Sequence, residues 1–267
     1  MKFALVDDIR AQATKGAKAI CPNCGSEVIA KCGDVKVHHW AHKSMRNCDP
    51  WWENETEWHR AWKNYFPVDW QDRIHYDELT GEKHIADLKT EHGLVIEFQH
   101  SFLNAEERGK REDFYKYMVW VVDATRLKKD LTRFIKGKNG FRSYNDKASM
   151  FAIDYREDSF PFIWIDSDKP VIFDFKGMEE NNDPDLAWRE SLFILFPKTN
   201  VRESIVAEIK REIFINGVIT GSLFKHREKD KKETPLPSPP IQKALGTSVR
   251  QSQYILQRGK FVKSSRW

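Results

Sequence analysis

Residues 84–101, HIADLKTEHGLVIEFQHS, predict two short β-strands joined by a tight turn. Leu94, Ile96 and Phe98 recur at the two-residue period of a strand that has one apolar face. Gly93 ends a three-residue loop, because glycine readily adopts the left-handed conformation that such a loop needs at its last position. We therefore expect a β-hairpin here, with the other elements of the domain arranged around it.

The loop length decides which residues face each other. If Thr90 pairs with Leu94, Asp87 lies opposite Glu97 on one face, with Cβ atoms roughly 5 Å apart. Two like charges at that separation destabilise a hairpin unless a cation compensates, and carboxylate oxygens suit Mg²⁺ or Mn²⁺. Gln99 projects beside the pair. Two alternatives stay open: a solvent-exposed acidic pair without an ion, and a two-residue loop that moves Asp87 to the other face.

The segments around the hairpin predict two helices and two further strands. A helix is expected over residues 51–66, a strand over 73–79, and a second helix from Asn104, which suits the N-cap position. MVWVVDA, residues 118–124, is a continuous apolar run typical of a strand buried on both faces. The predicted order is therefore helix–strand–strand–strand–helix–strand.

Both helices carry rows of polar side chains. Glu55, His59 and Lys63 stand four residues apart along one flank of the first helix. Such a row is typical of a solvated face and is also compatible with a functional site. Arg111 and Tyr115 on the second helix are equally compatible with a solvated face and with phosphate contact.

The N-terminal segment combines cysteines and histidines at metal-binding spacing. Cys21 and Cys24 lie in CPNCG, a tight knuckle that points two thiolates at one ion, and His39 and His42 lie in HHWAH. The pattern C-x2-C-x14-H-x2-H is close to the spacing of Cys₂His₂ zinc sites. A free CxxC redox pair is the alternative, but no βαβ unit surrounds it. Two other residues remain candidates for one histidine position: His38 and Cys48.

Composition and charge limit the class of protein. The chain has 267 residues, 40% of them hydrophobic, enough for one large domain or two modest ones. Residues 225–267 hold 11 Lys/Arg against 3 Asp/Glu, and their proline-containing charge run predicts a disordered tail that contacts a polyanion. We find no signal peptide and no apolar run approaching the roughly 18 residues of a membrane span. A soluble, cytoplasmic protein is expected, in which cysteines favour metal binding over disulfides.

The remaining segments carry weaker patterns. Residues 3–6 predict an edge strand, residues 127–135 a helix and residues 202–214 another helix. Further strands are expected at four places: residues 149–154, 160–165, 170–175 and 191–197.

The run from Cys21 to Ala124 resembles the competence protein CoiA family. The resemblance is carried by five motifs in the order of that family: CPNCG, HHWAH, ETEWHRAWK, HIADLKTEHGLVIEFQHS and REDFYKYMVWVVD. It implies an α/β fold in which a small zinc-binding module precedes a restriction-endonuclease-like αβββαβ core with a mixed sheet, of the PD-(D/E)xK superfamily. The implied organisation is a zinc-finger-like module (1–50), a nuclease core (51–124), a C-terminal α+β extension packed on the core (125–224) and a basic tail (225–267).

The same resemblance implies roles for five residues. Asp87 and Glu97 would hold a Mg²⁺ or Mn²⁺ ion, and Glu55 would bind it through water or hold a second ion. His59 would assist proton transfer. Gln99 would orient the attacking water where the superfamily usually has lysine. This departure leaves a positive charge to be supplied from elsewhere, for which two residues are candidates: Lys63 and Lys89.

The function implied is that of a metal-dependent DNA endonuclease in DNA processing, recombination or defence. Its structural zinc module would also be a surface for docking DNA. One alternative is a non-catalytic, zinc-stabilised DNA-binding factor that retains the nuclease fold, for which the absent lysine is the best argument. Another is an antiphage nuclease effector that works with a protein partner.

Overall fold

The computed structural model describes most of the chain, and residues Met1–His226 form one compact unit and Arg227–Trp267 a second. The described residues are 1–44, 48–51, 55–145, 149–178, 184–198, 204–224, 254–257 and 260–263. In the second unit, strands β15 (Tyr254–Gln257) and β16 (Lys260–Lys263) pair antiparallel. The rest of the tail that the sequence predicts to be disordered lies outside the described residues.

The N-terminal segment folds into a five-stranded antiparallel sheet in the order β2-β1-β3-β4-β5. Its small core includes Ala4, Val28 and Trp40, all buried. The prediction of an edge strand at residues 3–6 is wrong, because the chain turns back after β1 and the next strand covers its outer side. The strands are β1 (Phe3–Val6), β2 (Ile9–Gln12), β3 (Lys18–Ile20), β4 (Glu27–Lys31) and β5 (His39–His42).

A nine-stranded mixed sheet forms the centre of the first unit, in the order β10-β11-β14-β13-β12-β9-β8-β7-β6. The fully buried strand β9 runs parallel to both of its neighbours, and the other pairs are antiparallel. The strands are β6 (Gln71–Tyr76), β7 (Lys83–Lys89), β8 (Val95–Gln99), β9 (Met118–Asp123), β10 (Arg142–Asn145), β11 (Met150–Ile153), β12 (Val171–Asp174), β13 (Ser191–Leu195) and β14 (Ser204–Lys210).

Five α-helices accompany the sheet. The predicted helix–strand order is confirmed, since α1, β6, β7, β8, α2 and β9 follow one another along the chain. Asn104 caps α2 as predicted, its side chain accepting a hydrogen bond from the backbone N–H of Glu107. The helices are α1 (Glu57–Asn64), α2 (Ala105–Tyr115), α3 (Lys128–Lys138), α4 (Phe162–Ile165) and α5 (Arg211–Ile219).

Helices cover both faces of the large sheet. Trp62 of α1 and Phe214 of α5 pack in one core, and Phe114 of α2 and Phe134 of α3 pack in another. Residues 125–224 contribute β10–β14, which continue the same sheet beyond β9. This arrangement places the C-terminal ends of β8 and β9 side by side.

Two sequence predictions in the second half are wrong. Residues 160–165 contain the one-turn helix α4 in place of a strand, because a short buried apolar run does not distinguish the two by its period. The predicted helix over 202–214 is divided between β14 and α5. The alternation in SIVAEIK fits β14, which pairs with strands on both sides.

Candidate functional site

The central hairpin has the predicted loop and register. The backbone N–H of Thr90 donates to the carbonyl of Leu94 at 2.9 Å, and Gly93 has the left-handed φ of 83°. Leu88 pairs with Ile96 next to this loop. The two-residue loop is therefore excluded, and Asp87 stands level with Glu97.

Side-chain hydrogen bonds join the two strands at Asp87 and Glu97. The backbone N–H of Asp87 donates to Glu97 Oε1 at 3.2 Å, and the N–H of Phe98 donates to Asp87 Oδ2 at 3.0 Å. Each carboxylate thus takes a hydrogen bond from the opposite strand, which fixes both side chains in one place. Because Glu97 is 5% exposed and Asp87 is only partly exposed, the pair is not a solvated acidic surface.

The environment of Glu97 favours its neutral form. Burial, followed by the negative charge of Asp87, raises the pKa of Glu97 to about 8, although Arg111 opposes the shift. Nη1 of Arg111 lies 3.5 Å from Glu97 Oε2, too distant to balance both acids. A cation bound between the two carboxylates would return this pKa toward its ordinary range.

Lys63 is a buried cation within the site. Its Nζ lies 2.8 Å from Asp87 Oδ1 and 2.6 Å from Asp72 Oδ1, and it is 3.7 Å from Glu55 Oε1. Burial would lower the pKa of Lys63, but these three carboxylates raise it well above its ordinary value. The lysine is therefore charged, and its helical row is not a solvated face.

Asp72 is a site residue that the sequence did not reveal. Because Gln71 pairs with Leu88 and Arg73 with Ala86, Asp72 stands level with Asp87 on the neighbouring strand. It has a positive φ of 45°. Only the register between β6 and β7 identifies it, since a single acid in QDRIHY has no spacing signature.

Asp72 is strongly held in its charged form. Burial acts to raise its pKa, but Lys63 and the N-terminal amine outweigh it and lower the pKa of Asp72 to about 2. The backbone N–H of Lys2, next to β1, donates to Asp72 Oδ2 at 2.9 Å. A carboxylate of the large sheet is therefore fixed by the N-terminal module.

Glu55, two residues before α1, and His59 on α1 face the same cavity. Glu55 forms an ion pair with Arg60, and Thr56 Oγ1 lies 3.0 Å from His59 Nδ1. Both side chains are buried against the sheet. The helix predicted over 51–66 is shorter in the structure, where α1 begins at Glu57, but Glu55 still lines the same cavity as His59 and Lys63.

Gln99 and Arg111 complete the surroundings of Glu97. Gln99 lines the cavity, and its Nε2 donates to the carbonyl and hydroxyl of Ser101. Arg111 is buried and donates to the carbonyl of Trp51, so neither a solvated face nor a phosphate contact describes it. Of the two lysines proposed to supply a positive charge, Lys63 lines the cavity, whereas Lys89 is not among the described residues that line it.

These residues surround what we call the acid cavity, of about 50 Å³. This volume holds a few water molecules, or a small ion with part of its hydration shell. Its lining carries more carboxylates than cations, which leaves a negative balance that suits a divalent cation. The carboxylates are Asp49, Glu55, Asp72, Asp87 and Glu97, and the basic groups are Lys63, Arg111 and the N-terminal amine of Met1.

A second cluster of ligating groups lies in the N-terminal module. Ligand atoms of Cys21, Cys24, His42 and Cys48 all lie within 4.8 Å of one another, so this Cys₃His cluster could bind a metal such as zinc. The Sγ atoms of Cys21 and Cys48 are 3.7 Å apart. Burial, together with the neighbouring Cys21, raises the pKa of Cys48 to about 12, as expected for clustered thiols without a cation.

The prediction of His39 as a ligand is wrong. His39 and His42 both lie on β5, where residues three apart point to opposite faces. Nδ1 of His39 is 2.9 Å from the carbonyl oxygen of Val37, and Cys48, one of the two candidate replacements, takes its place in the cluster. The HxxH spacing would bring both histidines to one ion on a helix but not on a strand.

Asp49 connects this cluster to the acid cavity. It follows Cys48 directly, and its Oδ2 accepts a hydrogen bond from the backbone N–H of Ile85 at 2.7 Å. Its Oδ1 lies 2.8 Å from Nδ1 of His84, whose ring stacks on Trp51. The cluster is thus attached to β7 two residues before Asp87.

Within the described part of the chain, no helix combines the length and apolar character needed to cross a membrane.

Comparisons with known proteins relate the chain to one family. Residues 6–50 match the model of the competence protein CoiA N-terminal domain. The competence protein CoiA of Bacillus subtilis (strain 168) is 26% identical over 145 residues, which cover 49% of this chain and 38% of that relative. No solved structure matches. These matches confirm the resemblance that the sequence motifs predicted: over part of its length the chain is similar to the competence protein CoiA family.

Proposed function

We propose that this protein is a metal-dependent DNA endonuclease that hydrolyses phosphodiester bonds. The observation that carries the proposal is the placement of Asp87 and Glu97 on adjacent strands, each bonded to the other strand's backbone, with Lys63 Nζ 2.8 Å from Asp87. The helix–strand order from α1 to β9 is also that of a restriction-endonuclease-like core. Such a core uses facing carboxylates and a nearby cation to cleave phosphodiesters.

The residues present fit a hard divalent ion. Carboxylate oxygens of Asp87 and Glu97 would ligate Mg²⁺ or Mn²⁺, with Glu55 reaching it through water. When bound, such an ion polarises the scissile phosphate and lowers the pKa of coordinated water. Glu55 Oε1 has no hydrogen-bond partner among the described residues, which leaves it able to accept one from such a water.

The side chains around this position have separate roles. Lys63, held by Asp72, supplies the positive charge that a lysine at position 99 would supply and stabilises charge developing on the phosphate. Gln99 orients the attacking water. His59, whose Nδ1 is occupied by Thr56, assists proton transfer through its other nitrogen.

DNA is proposed as the substrate on two grounds. The tail of residues 225–267 has a surplus of 8 positive charges, which favours a polyanion. The second ground is the resemblance to the competence protein CoiA family, which implies a role in DNA processing.

A non-catalytic DNA-binding factor is the second candidate. The contact between Lys63 and Asp87 favours it, because a lysine that neutralises this acid also occupies an oxygen that an ion would need. The two candidates differ in one observable: turnover that depends on Mg²⁺ or Mn²⁺.

Cleavage assays separate them. Purified protein is incubated with supercoiled plasmid and with circular single-stranded DNA, with Mg²⁺ or Mn²⁺. We expect cleavage that Asp87→Asn reduces by about 100-fold or more, since the charged ligand is lost although the hydrogen bond from Phe98 can be kept. The matched control is Asp113→Asn, an exposed acid on α2 outside the cavity. Wild-type protein that cleaves neither DNA, or equal cleavage by Asp87→Asn, would contradict the endonuclease.

A further inference from the structure

The geometry points to a binding groove for single-stranded DNA beside the acid cavity. This inference rests on the proposed function and names the form of its substrate. The groove has a volume of about 260 Å³ and lies where the chain leaves β8 and β9. Gln99 lines both the groove and the acid cavity, so a strand held in the groove passes next to the cavity. The lining used in this argument is His100, Phe102, Asp123, Arg126, Lys129 and Phe162.

Two phenylalanines of the groove are exposed to an unusual degree. Phe102 is 77% and Phe162 is 69% exposed, although both border a lining whose apolar residues are buried. Large aromatic side chains left in water mark an interaction surface more often than single aliphatic residues do. Their ring faces provide the platform on which nucleobases stack without regard to sequence.

The charges of the groove suit a phosphate backbone. Arg126 and Lys129 are exposed and form no ion pair with any residue that the structure describes. Asp130 pairs with Arg133 at 2.9 Å, and Asp123 Oδ2 lies 2.7 Å from Nδ1 of His100, so the groove holds three arginine and lysine side chains against two acids. The uncompensated charge is therefore positive, as a groove that follows a nucleic-acid backbone requires.

The arrangement favours a single strand over a duplex. In a duplex each base is covered on both faces by its neighbours, so phenylalanine rings have no base face to contact. A single strand offers free base faces to Phe102 and Phe162 while its phosphates reach Arg126 and Lys129. The same strand would pass Gln99 and bring its next phosphate to Asp87.

Fluorescence anisotropy tests the groove without depending on cleavage. The full chain carrying Asp87→Asn is titrated onto labelled single-stranded DNA and onto a duplex of the same sequence. We expect tighter binding of the single strand. Phe102→Ala and Phe162→Ala should each weaken it by at least about five-fold, the smallest loss typical of a stacking residue. Lys129→Ala should weaken it and reduce its salt dependence.

Matched variants separate the groove from general surface effects. Lys128→Ala removes an exposed lysine from the same helix but outside the groove, and Tyr155→Ala removes an exposed aromatic ring elsewhere. Both should bind as the parent does. Circular dichroism melting confirms that each variant is folded.

The outcomes distinguish this inference from the proposed function. Single-strand binding that groove variants leave unchanged, or a duplex bound as tightly, overturns the groove even if the wild type cleaves DNA. Groove-dependent binding of single strands supports it even if cleavage is never observed, in which case only the endonuclease fails.

Discussion

The Cys₃His cluster and the acid cavity are both sets of crowded, like-charged ligands, but they balance their charge differently. In the cluster, three thiols and one imidazole lie together, and the pKa of Cys48 is raised to about 12 by burial and by Cys21. In the acid cavity, Lys63 and Arg111 are built in, and Lys63 contacts two carboxylates. The difference suggests a permanent ion in the cluster and an exchangeable one in the cavity.

The largest expected effect is loss of the ion from the cluster. We expect about one zinc per chain in purified protein, and Cys48→Ser should lose it and strongly destabilise the fold, because in small zinc modules binding energy is folding energy. His39→Ala, which removes a residue outside the cluster, should keep the zinc. Metal analysis and circular dichroism measure both properties.

Cys32→Ser is the cysteine control and should also retain zinc. Zinc retained by Cys48→Ser but lost by His39→Ala would support the Cys₂His₂ ligand set that the spacing predicted. It would contradict the Cys₃His cluster of the structure.

Removal of the internal cation from the acid cavity should have the next largest effect. Lys63→Met leaves Asp72 and Asp87 buried without their partner, and breaking such a pair costs about 3–5 kcal/mol. Urea denaturation measures the loss. Lys110→Met, which breaks an exposed pair with Glu106, should cost far less, because solvent screens that pair. Equal losses would show that Lys63 does not balance the cavity.

A smaller effect concerns pH. The pKa of Glu97 is about 8 in the folded protein, above its ordinary value of 4.5, so between these limits the native state holds a proton that the unfolded chain releases. Stability should therefore fall as pH rises through this window, by on the order of a few kcal/mol. Glu97→Gln should remove this fall, as measured by thermal melting across pH.

At the upper end of this window, Mg²⁺ should restore the stability of the wild type, because the ion competes with the proton for Glu97. It should leave the stability of Glu97→Gln unchanged. Glu78→Gln, an exposed control on the turn before β7, should retain the fall. A wild type without any loss of stability between these limits would contradict the raised pKa.

The smallest expected effect is on Gln99→Lys. If Lys63 already supplies the positive charge, a second lysine should change cleavage by only about three-fold or less, which is below 1 kcal/mol in the barrier. Initial rates at saturating Mg²⁺ measure it. A rise of 100-fold or more would show that the charge is missing in the wild type, and would remove that role from Lys63.

The hairpin was predictable because its information is local. The position of Gly93 sets the loop, the loop sets the register, and the register places Asp87 level with Glu97. Helical spacing similarly predicts that Glu55, His59 and Lys63 lie together, although α1 begins only at Glu57 and the spacing does not tell a cavity from solvent.

The errors arose where the answer depended on distant pairing. Asp72 enters the site only through the register between β6 and β7. His39 lies outside the Cys₃His cluster because HHWAH forms a strand that pairs with β4. No pattern within these five residues predicts that pairing. Arg111 becomes a buried partner of Glu97 only when α2 packs on the sheet.

The hydrogen bond from Lys2 to Asp72 has a consequence for how the molecule unfolds. Lys2 Nζ also donates to Asn64 and Gln71, so three residues of the large-sheet region depend on one residue of the N-terminal sheet. Asp49 adds a second connection, because its carboxylate accepts a hydrogen bond from the backbone N–H of Ile85 in β7. Two sheets joined in this way lose their shared contacts together, so we expect a single cooperative transition instead of stepwise melting. We therefore expect that the segment 51–124 does not fold on its own.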